Sequence, residues 1–378
     1  MKITKVESIP LWADFAREFG GAEHVPAELA HPAATYARDP LTGQGAVLVR
    51  IHTDDGLVGL GETMGRPGAL GMAALTTEIL APLLVGEDPR AIAALWERCA
   101  EAARFTPAIV SGVDIALWDL AGKLHGVPVH VLLGGPVRDE LPCYASPVPL
   151  LADPAESARR ALDFTAQGFR ALKIKIGRGA RTDAAHVLAV REAVGPDVRL
   201  MADCNDAYGP AEAVQVATAL APAGLYWFEE PVRHDHRADL ARLRTVTGQR
   251  IASGEWLGDL HQLRELVASG AVDVVMPNIV RCGGITGLRR LAEFAAHHRV
   301  AVSPHGVGGP VALAASVEAG LGIPGVTLYE YNRLFNPLRD TMLTGYPPFA
   351  GGALRPTGGP GLGVELDEEK LARYRADG

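Results

Sequence analysis

Three acidic residues recur at one interval in the middle of the chain, and this repeat constrains the fold more than any other feature. Asp203, Glu229 and Glu255 each lie 26 positions from the next, and each follows a short apolar run of strand composition. A polar turn and a segment of helical periodicity come after each residue, so one interval corresponds to one strand and one helix. Parallel strands joined by right-handed crossovers end at the same face of a sheet. The three carboxylates are therefore predicted to converge.

The converging carboxylates predict a metal site, because three anionic groups repel one another unless a cation lies between them. A ligand set of carboxylate oxygens, with no Cys or His, suits a hard divalent ion better than zinc or copper. We predict that Asp203, Glu229 and Glu255 hold one Mg²⁺ per subunit, with Mn²⁺ as an alternative.

The same spacing continues in both directions from the acidic triad. At steps of 23 to 28 positions, further strand-like runs each end in a polar residue, and these residues are Lys175, Asn278, His305 and Glu330. A unit of this size, repeated from about Pro142 to Glu330, is typical of a (β/α) barrel whose site lies at the C-terminal ends of its strands. The first barrel strand is predicted near residues 141–145.

The first third of the chain has a different pattern. Alternating apolar and polar residues, and two apolar runs on either side of a Thr-Asp-Asp-Gly turn, predict three antiparallel strands. These strands are expected at residues 1–11, 46–51 and 57–62. Helical periodicity then predicts three helices, which are expected at residues 70–84, 89–104 and 107–124.

Together the two patterns predict an α/β protein, a modified (β/α) TIM barrel with an N-terminal α+β capping domain. The capping domain is expected at residues 1–125 and the barrel at residues 126–354. The C-terminal segment, residues 355–378, is expected to return to the capping domain and complete it.

A long connection separates the first two predicted strands. Residues 13–45 are rich in Gly, Pro, Ala and His, and a connection of this length is more often a lid or binding loop than a simple turn. His24 and Tyr36 in this loop are candidate substrate-binding residues, and Arg38 lies beside them.

Composition excludes several classes of function. With 378 residues, 48% of them hydrophobic, the chain can bury a large core. A net charge of −8 and the lack of basic runs argue against nucleic acid or a membrane surface as a partner. No apolar run is long enough to span a bilayer, and the N-terminus lacks the apolar region of a signal peptide. Four cysteines without a Cys-x-x-Cys pair suit reduced thiols, so we expect a soluble, cytoplasmic protein.

The order of the motifs resembles the mandelate racemase/muconate lactonizing enzyme family of the enolase superfamily, in its mandelate racemase branch. The resemblance spans nearly the whole chain and is carried by Lys173-x-Lys175, Asp203-x-Asn205, Glu229-Glu230-Pro231, Gly254-Glu255, Gly283-Gly284 and Pro304-His305. It implies Mg²⁺ on the acidic triad, catalytic groups on the flanking strands, a small-molecule carboxylate substrate and a homo-oligomer. Segments 336–339 and 359–363 look most like the sugar-acid dehydratases and galactarolactone cycloisomerases of this family.

The resemblance gives the two lysines catalytic roles. Lys175 is the predicted base that removes a proton alpha to a carboxylate. Lys173 lies two residues earlier and so on the same face of the strand, where its charge would help keep Lys175 deprotonated. Lys173 is also predicted to contact the substrate carboxylate.

His305 is predicted to be a catalytic residue that faces the substrate opposite Lys175. In the family this histidine commonly pairs with an Asp, but the matching position here is Asn278. Without a carboxylate to stabilise its imidazolium, His305 is expected to be a weaker base, which favours elimination over racemisation. Asn278 itself is a candidate substrate-binding residue.

Three further residues complete the candidate site. Glu330 matches the family's electrophilic glutamate beside the enolate oxygen, with an ion pair to Arg333 or Arg339 as the structural alternative. Asn205, two residues after a metal ligand, is predicted to face the substrate. Glu230 is expected on the other face of its strand and is not counted as a ligand.

The leading functional hypothesis is Mg²⁺-dependent removal of the proton alpha to the carboxylate of a sugar acid or its lactone, followed by beta-elimination. This reaction describes an acid-sugar dehydratase or, if a ring oxygen leaves, a cycloisomerase. One alternative is a racemase or epimerase that transfers the proton at a single carbon. A non-catalytic sugar-acid binding protein is the alternative from a different class.

Overall fold

The cap begins with an antiparallel sheet. The structure is a computed structural model that describes residues 1–33, 39–149 and 151–377. The sheet has the order β1-β2-β3 and consists of β1 (Ile3–Asp14), β2 (Gly43–Thr53) and β3 (Val58–Met64). All three predicted strands are present, and β1 and β2 extend further into the connection between them than the sequence pattern indicated.

That connection contains short helices that the prediction of a lid loop did not include. They are α1 (Phe15–Phe19), a 3₁₀ turn (Ala22–His24) and α2 (Ala27–Ala30). Asp14 caps α1 by accepting a hydrogen bond from the Arg17 backbone N–H (2.9 Å), and Gly20 ends it in the left-handed conformation. Helices this short contain too few residues to show a recognisable helical periodicity in the sequence.

The other cap helices follow the predicted periodicity. They are α3 (Ala69–Leu75), α4 (Ala81–Leu84), α5 (Ile92–Ala102) and α6 (Ala108–His125). A π-helical turn (Thr76–Leu80) joins α3 to α4, and Gly126 ends α6 at a φ of 67°. The buried face of α6 packs against β2 and β3 and forms the core of the cap.

Eight parallel strands form the barrel, which confirms the predicted fold class. They are β4 (Leu141–Val148), β5 (Ala171–Lys175), β6 (Arg199–Asp203), β7 (Trp227–Glu229), β8 (Ile251–Ser253), β9 (Val274–Val275), β10 (Ala301–Val302) and β11 (Tyr329–Asn332). Neighbouring strands pair in chain order from β4 to β10. The barrel closes because β11 pairs with β4 and a parallel bridge joins Val302 to Val326.

Helices precede the first strand and separate the others. They are α7 (Val129–Leu132), α8 (Pro154–Ala166), α9 (Ala180–Val194), α10 (Pro210–Leu220), α11 (Arg237–Thr247), α12 (Leu260–Ala268), α13 (Gly284–His297) and α14 (Pro310–Gly322). Among the described residues, no helix has the length and apolar character needed to cross a membrane.

The register of the strands aligns the predicted site residues. Lys175 pairs with Asp203 across β5 and β6, and Asp203 pairs with Glu229 across β6 and β7. Residues at the same level of neighbouring parallel strands point the same way. The last residues of these three strands therefore lie in one row at the C-terminal end of the barrel.

The end of the chain returns to the cap, as predicted. After α15 (Pro337–Thr341) come the short strands β12 (Leu343–Thr344), β13 (Phe349–Ala350), β14 (Ala353–Leu354) and β15 (Glu365–Leu366), and then α16 (Glu368–Tyr374). β14 pairs with the start of β4. Arg375 forms an antiparallel bridge with Leu11, and the Ala376 N–H donates to the Pro10 carbonyl (2.9 Å).

Two buried carboxylates of the cap bind the N-termini of barrel helices. Glu62 on β3 accepts hydrogen bonds from the backbone N–H groups of Gly309 (2.5 Å), Val311 (3.0 Å) and Ala312 (3.0 Å) at the start of α14. These N–H groups have no partner within the helix, and the positive end of the helix dipole also favours an anion. The Gly-rich turn before α14 therefore binds a carboxylate side chain of the cap.

Asp114 on α6 makes the equivalent contact with α13. Its carboxylate accepts hydrogen bonds from the Thr286 backbone N–H (2.9 Å) and hydroxyl (2.6 Å). The approach is close, since a Cβ on Gly284 would lie 2.5 Å from Asp114 Oδ2 and one on Gly309 would lie 3.0 Å from Glu62 Oε1. Glycine at these two positions therefore permits the cap to dock.

We predict that Glu62→Gln lowers the free energy of unfolding by about 1 to 3 kcal/mol, because the new amide places N–H groups against backbone donors that lose their acceptor. Urea denaturation followed by circular dichroism measures the change. Glu78→Gln, on an exposed part of the same domain, is the matched control and is expected to change stability by less than about 0.5 kcal/mol. Equal stability of the two variants would contradict the docking role of Glu62.

Candidate active site

A cavity lies between the cap and the C-terminal ends of the barrel strands. Its barrel side includes Lys175, Asn205, Glu255, His305 and Glu330, all of which are predicted site residues. The cap contributes a second wall, formed partly by the predicted lid loop and partly by the end of β3 and the turn after it; its residues are Pro32, Ala33, Leu41, Gln44, Met64 and Arg66. The two domains therefore enclose one site.

The acidic triad converges as predicted. Asp203, Glu229 and Glu255 each present one carboxylate oxygen, and these three oxygens lie within 4.8 Å of one another. All three residues are buried. Oxygen-only donors at this separation fit a hard divalent cation such as Mg²⁺.

Two neighbouring groups hold the triad in place. The indole N–H of Trp227 donates to Glu229 Oε2 (2.8 Å), and the Asn205 backbone N–H donates to Asp203 Oδ1 (2.9 Å). Sequence reasoning missed Trp227, although its position two residues before Glu229 places both side chains on one face of β7. These bonds orient the carboxylates toward one another.

Lys173 lies among the carboxylates rather than at the cavity. Its ammonium is fully buried and lies 2.5 Å from Glu229 Oε1 and 3.0 Å from Asp203 Oδ2. Glu330 Oε1 also lies 3.0 Å from it. Burial lowers the pKa of the Lys173 ammonium, but the three carboxylates have the larger combined effect and raise that pKa well above its usual value. Lys173 is not among the described residues that line the cavity. Its contact with the substrate therefore stays a prediction.

Lys175 reaches the cavity and is held by two oxygens. Its ammonium donates to Asp203 Oδ2 (2.5 Å) and to Asn205 Oδ1 (2.7 Å). Burial and the charge of Lys173 lower the pKa of Lys175, as expected, but Asp203 and other carboxylates outweigh them and the net pKa is raised. The predicted depression of this pKa by Lys173 is therefore only one contribution among several.

Asn278 contacts His305 and fixes its ring. Asn278 Oδ1 accepts the Val280 backbone N–H (3.0 Å), so its Nδ2 amide faces both the Val307 carbonyl (2.8 Å) and His305 Nδ1 (3.1 Å). An amide N–H can only donate, so His305 Nδ1 is an acceptor and Nε2 carries the proton. Nε2 points toward Glu255 Oε2 (3.2 Å) and Glu330 Oε2 (3.5 Å). Burial lowers the pKa of His305, which favours this neutral form.

Glu330 belongs to the site and not to the barrel rim. Besides the contact with Lys173, its Oε2 accepts the Gly306 backbone N–H (3.0 Å). Burial alone would raise its pKa, but Lys173, His305 and Lys175 hold it at about 2. Among the described residues, the ion-pair partners of Glu330 are Lys173 and His305, and neither Arg333 nor Arg339 is one of them.

Glu230 departs from the expected orientation. The strand ends at Glu229, and Glu230 adopts a φ of 40°, so the alternation of a strand no longer applies. Its buried carboxylate turns toward the site and accepts the indole N–H of Trp256 (3.1 Å). Burial and the adjacent charge of Glu255 raise the pKa of Glu230 well above its usual value. Glu230 is therefore a neighbour of the metal site, and the acidic group that can hold a metal does not include it.

Of the candidate residues in the long connection, only His24 lies in the described part of the chain. His24 lies on the 3₁₀ turn with 64% of its side chain exposed, 3.7 Å from Glu23, and is not among the described residues that line the cavity. Tyr36 and Arg38 fall outside the described residues.

The charges at the floor of the cavity fit a divalent cation. The acidic side chains here outnumber the amines by two. The acids are Asp203, Glu229, Glu255 and Glu330, and the amines are Lys173 and Lys175. Burial and the charge of Asp203 raise the pKa of Glu229 well above its usual value, which reflects this excess of negative charge. A bound Mg²⁺ would balance it.

Family profiles cover both parts of this architecture. The profile described as "Mandelate racemase / muconate lactonizing enzyme, N-terminal domain" matches residues 23–134, and "Enolase C-terminal domain-like" matches residues 155–370. The chain belongs to the mandelate racemase/muconate lactonizing enzyme family of the enolase superfamily.

Relatives in this family include characterised enzymes. The D-galactarolactone cycloisomerase of Agrobacterium fabrum is 35% identical over 87% of this chain and 91% of its own length. A D-galactonate dehydratase family member of Streptomyces bingchenggensis is 33% identical over 88% and 90%. The crystal structure of a racemase from Streptomyces coelicolor with bound magnesium superimposes with a TM-score of 0.86 at 28% identity, covering 99% of this chain and 100% of that one. The protein is accordingly an enzyme of the lyase or isomerase type.

We predict that Glu229→Gln weakens Mg²⁺ binding by at least about tenfold, because one anionic ligand of three is lost. Isothermal titration with Mg²⁺, or electron paramagnetic resonance of Mn²⁺, measures the affinity. Glu230→Gln changes the adjacent glutamate in the same way and is the matched control, with an affinity close to that of the unchanged protein. Equal losses in both variants would remove Glu229 from the ligand set.

Proposed function

We propose that the protein is a Mg²⁺-dependent acid-sugar dehydratase or lactone cycloisomerase. It removes the proton alpha to the carboxylate of a sugar acid or its lactone and then eliminates the beta substituent. Relatives named as a cycloisomerase and as a dehydratase family member support this class of reaction. The contact between Asn278 and His305 is the observation that favours elimination over racemisation.

Lys175 is the base in this proposal. It is the amine that lines the cavity, and Asn205 and Asp203 fix the position of its nitrogen. The alpha proton moves from carbon to Lys175 Nζ, so Lys175 must be neutral when substrate is bound.

A metal ion would be held by Asp203, Glu229 and Glu255. When bound, Mg²⁺ supplies positive charge where the carboxylate of the substrate becomes more negative after the proton is removed. The magnesium in the related racemase structure supports this assignment. Lys173 and Glu330 form the charged layer beside the triad, and they maintain its geometry by the contacts described above.

Asn278 makes His305 a hydrogen-bond donor to the substrate. For His305 to act as a base at Nε2, Nδ1 would have to carry a proton, and that N–H would face the N–H group of Asn278. Asn278 Oδ1 accepts the Val280 N–H, and Asn278 Nδ2 donates to the Val307 carbonyl. The amide therefore cannot rotate to present its oxygen to an Nδ1–H group. Proton exchange on the second face of the alpha carbon, which racemisation needs, is therefore disfavoured.

Elimination makes use of the same geometry. A neutral imidazole with Nε2–H can donate a hydrogen bond to an oxygen that leaves from the beta carbon. As the C–O bond breaks, a double bond forms between the alpha and beta carbons, and the leaving oxygen takes up one proton, which balances the proton that Lys175 removes. His305 lines the cavity together with Lys175, so both residues can contact one substrate. If the leaving oxygen is a hydroxyl, the reaction is a dehydration, and if it belongs to a ring, the reaction is a cycloisomerisation.

We predict that sugar acids or their lactones, incubated in D₂O with the enzyme and Mg²⁺, lose the alpha proton and gain a methylene group that carries one deuterium. Proton NMR of a substrate panel measures this outcome. Lys175→Ala is expected to lower the rate by at least about 10³-fold, because the base is lost. Deuterium at the alpha carbon of an otherwise intact substrate would instead identify a racemase or epimerase.

We predict that Asn278→Asp raises the pKa of His305 and lowers the rate of elimination about 10- to 100-fold, because a carboxylate accepts Nδ1–H and turns Nε2 into a base. The inflection due to His305 in the pH–rate profile should move to higher pH. Exchange of the alpha proton without elimination should also become measurable. The same substitution in a His305→Ala background is the control, and a pH profile that responds equally there would show that the two side chains are not coupled.

A further inference from the structure

The cavity has a second cationic region on its cap side, away from the metal site. Arg66 from the cap and Arg281 from the loop after β9 both line the main cavity, together with Met64 and Trp256. The same four residues also line an adjoining cavity, so they share one part of the surface. None of them is used by the proposed reaction.

Arg66 has no acidic partner in the described part of the chain. Its guanidinium is half-buried, and its Nη1 makes a long hydrogen bond (3.4 Å) to the neutral Gln44 side chain. None of the described carboxylates lies within the 4.0 Å of an ion pair with Arg66. A partly desolvated guanidinium without a counter-ion gains most from an anion that can accept two parallel N–H bonds.

Arg281 supplies a second guanidinium on this side. Its side chain lies over the Trp256 ring, 5.3 Å from the ring centroid, which holds it against the cavity wall. The Arg281 backbone N–H donates to the Asn278 carbonyl (2.9 Å), so its loop is joined to the turn that positions His305. This side of the cavity is thereby joined to the catalytic floor.

Two other cations that line the cavity, Lys175 and Arg339, have acidic partners. Lys175 contacts Asp203, and Arg339 contacts Asp340 and the backbone carbonyls of Asn332 and Leu334. Among the described residues that line the main cavity, the acids are Glu255 and Glu330, and both belong to the floor. Arg66 therefore lies in the cavity wall with no described acid within ion-pair distance.

We propose that Arg66, together with Arg281, binds a second carboxylate at the end of the substrate remote from the reacting carbon, so that the substrate is a sugar diacid. This inference rests on the proposed function, because the first carboxylate is the one whose alpha proton is removed. A sugar monoacid has a hydroxyl or a neutral carbonyl at that end and leaves Arg66 without a charged partner. The enzyme is thus selective for a carboxylate at both ends of the chain.

The test compares the affinities of a six-carbon sugar diacid and the monoacid of the same configuration, measured by isothermal titration in the presence of Mg²⁺. Lys175→Ala serves as the background, so that neither compound is converted. The diacid is expected to bind at least about tenfold more tightly, as a charge-assisted pair with a guanidinium implies. Arg66→Gln is expected to reduce that ratio to about one, and Arg66→Lys to restore part of it.

Arg159→Gln is the matched control, since Arg159 is exposed on α8 and contacts Glu156 at 3.6 Å. This variant is expected to keep the ratio of the background protein. If Arg66→Gln fails to fold, Arg281→Gln takes its place, with the same expected loss of the ratio. A background protein that binds both acids equally, or an Arg66→Gln protein that keeps the ratio, would overturn the proposal.

The result is separate from the test of the reaction. If the wild-type enzyme exchanges and eliminates from monoacids in D₂O while the affinity ratio is about one, the proposed function stands and the diacid subsite is wrong. If the ratio is large but no alpha proton is lost from any acid, the subsite stands and the proposed reaction is wrong.

Discussion

Mutual repulsion among buried carboxylates is the constraint on which the rest of this structure depends. The C-terminal ends of β6, β7 and β8 bring three acids within 4.8 Å of one another in a region that excludes water. Such an arrangement is stable only if positive charge is supplied from all sides. Lys173 beneath the acids and Lys175 beside them supply part of it, and a divalent cation would supply the remainder. The positions of both lysines therefore follow from the triad.

The same principle operates where the cap meets the barrel, but there the positive partner is the helix backbone. Glu62 and Asp114 are buried acids without a lysine or arginine in ion-pair contact among the described residues, and each is satisfied by N–H groups at the start of a barrel helix. Helix N-termini can receive a carboxylate because their first N–H groups have no partner within the helix. The docking geometry is consequently as specific as the metal site.

Sequence patterns were sufficient to predict the barrel, the strands of the cap and the convergence of the acidic triad, because these depend on local periodicity and, for the triad, on one repeated interval. The register that pairs Lys175 with Asp203 follows from that interval. Glu230 was misplaced because a single left-handed residue ends the alternation of its strand. Arg66 and the Asn278 contact with backbone groups depend on segments far apart in the chain, and a pattern in one sequence does not report such contacts.

Strand β3 (Val58–Met64) and the turn that follows it contain two residues with separate proposed roles. Glu62 fixes the start of α14, and the turn before that helix begins at His305, whereas Arg66 lies four positions further along and faces the cavity. Glu62, which contacts the start of α14, lies on β3, whereas Arg66, which is proposed to bind the far end of the substrate, lies in the turn after it. An enzyme built in this way can change its substrate range by substitution at position 66 while the catalytic loop stays in register. The far end of the site could therefore vary while the contacts that hold the catalytic loop stay the same.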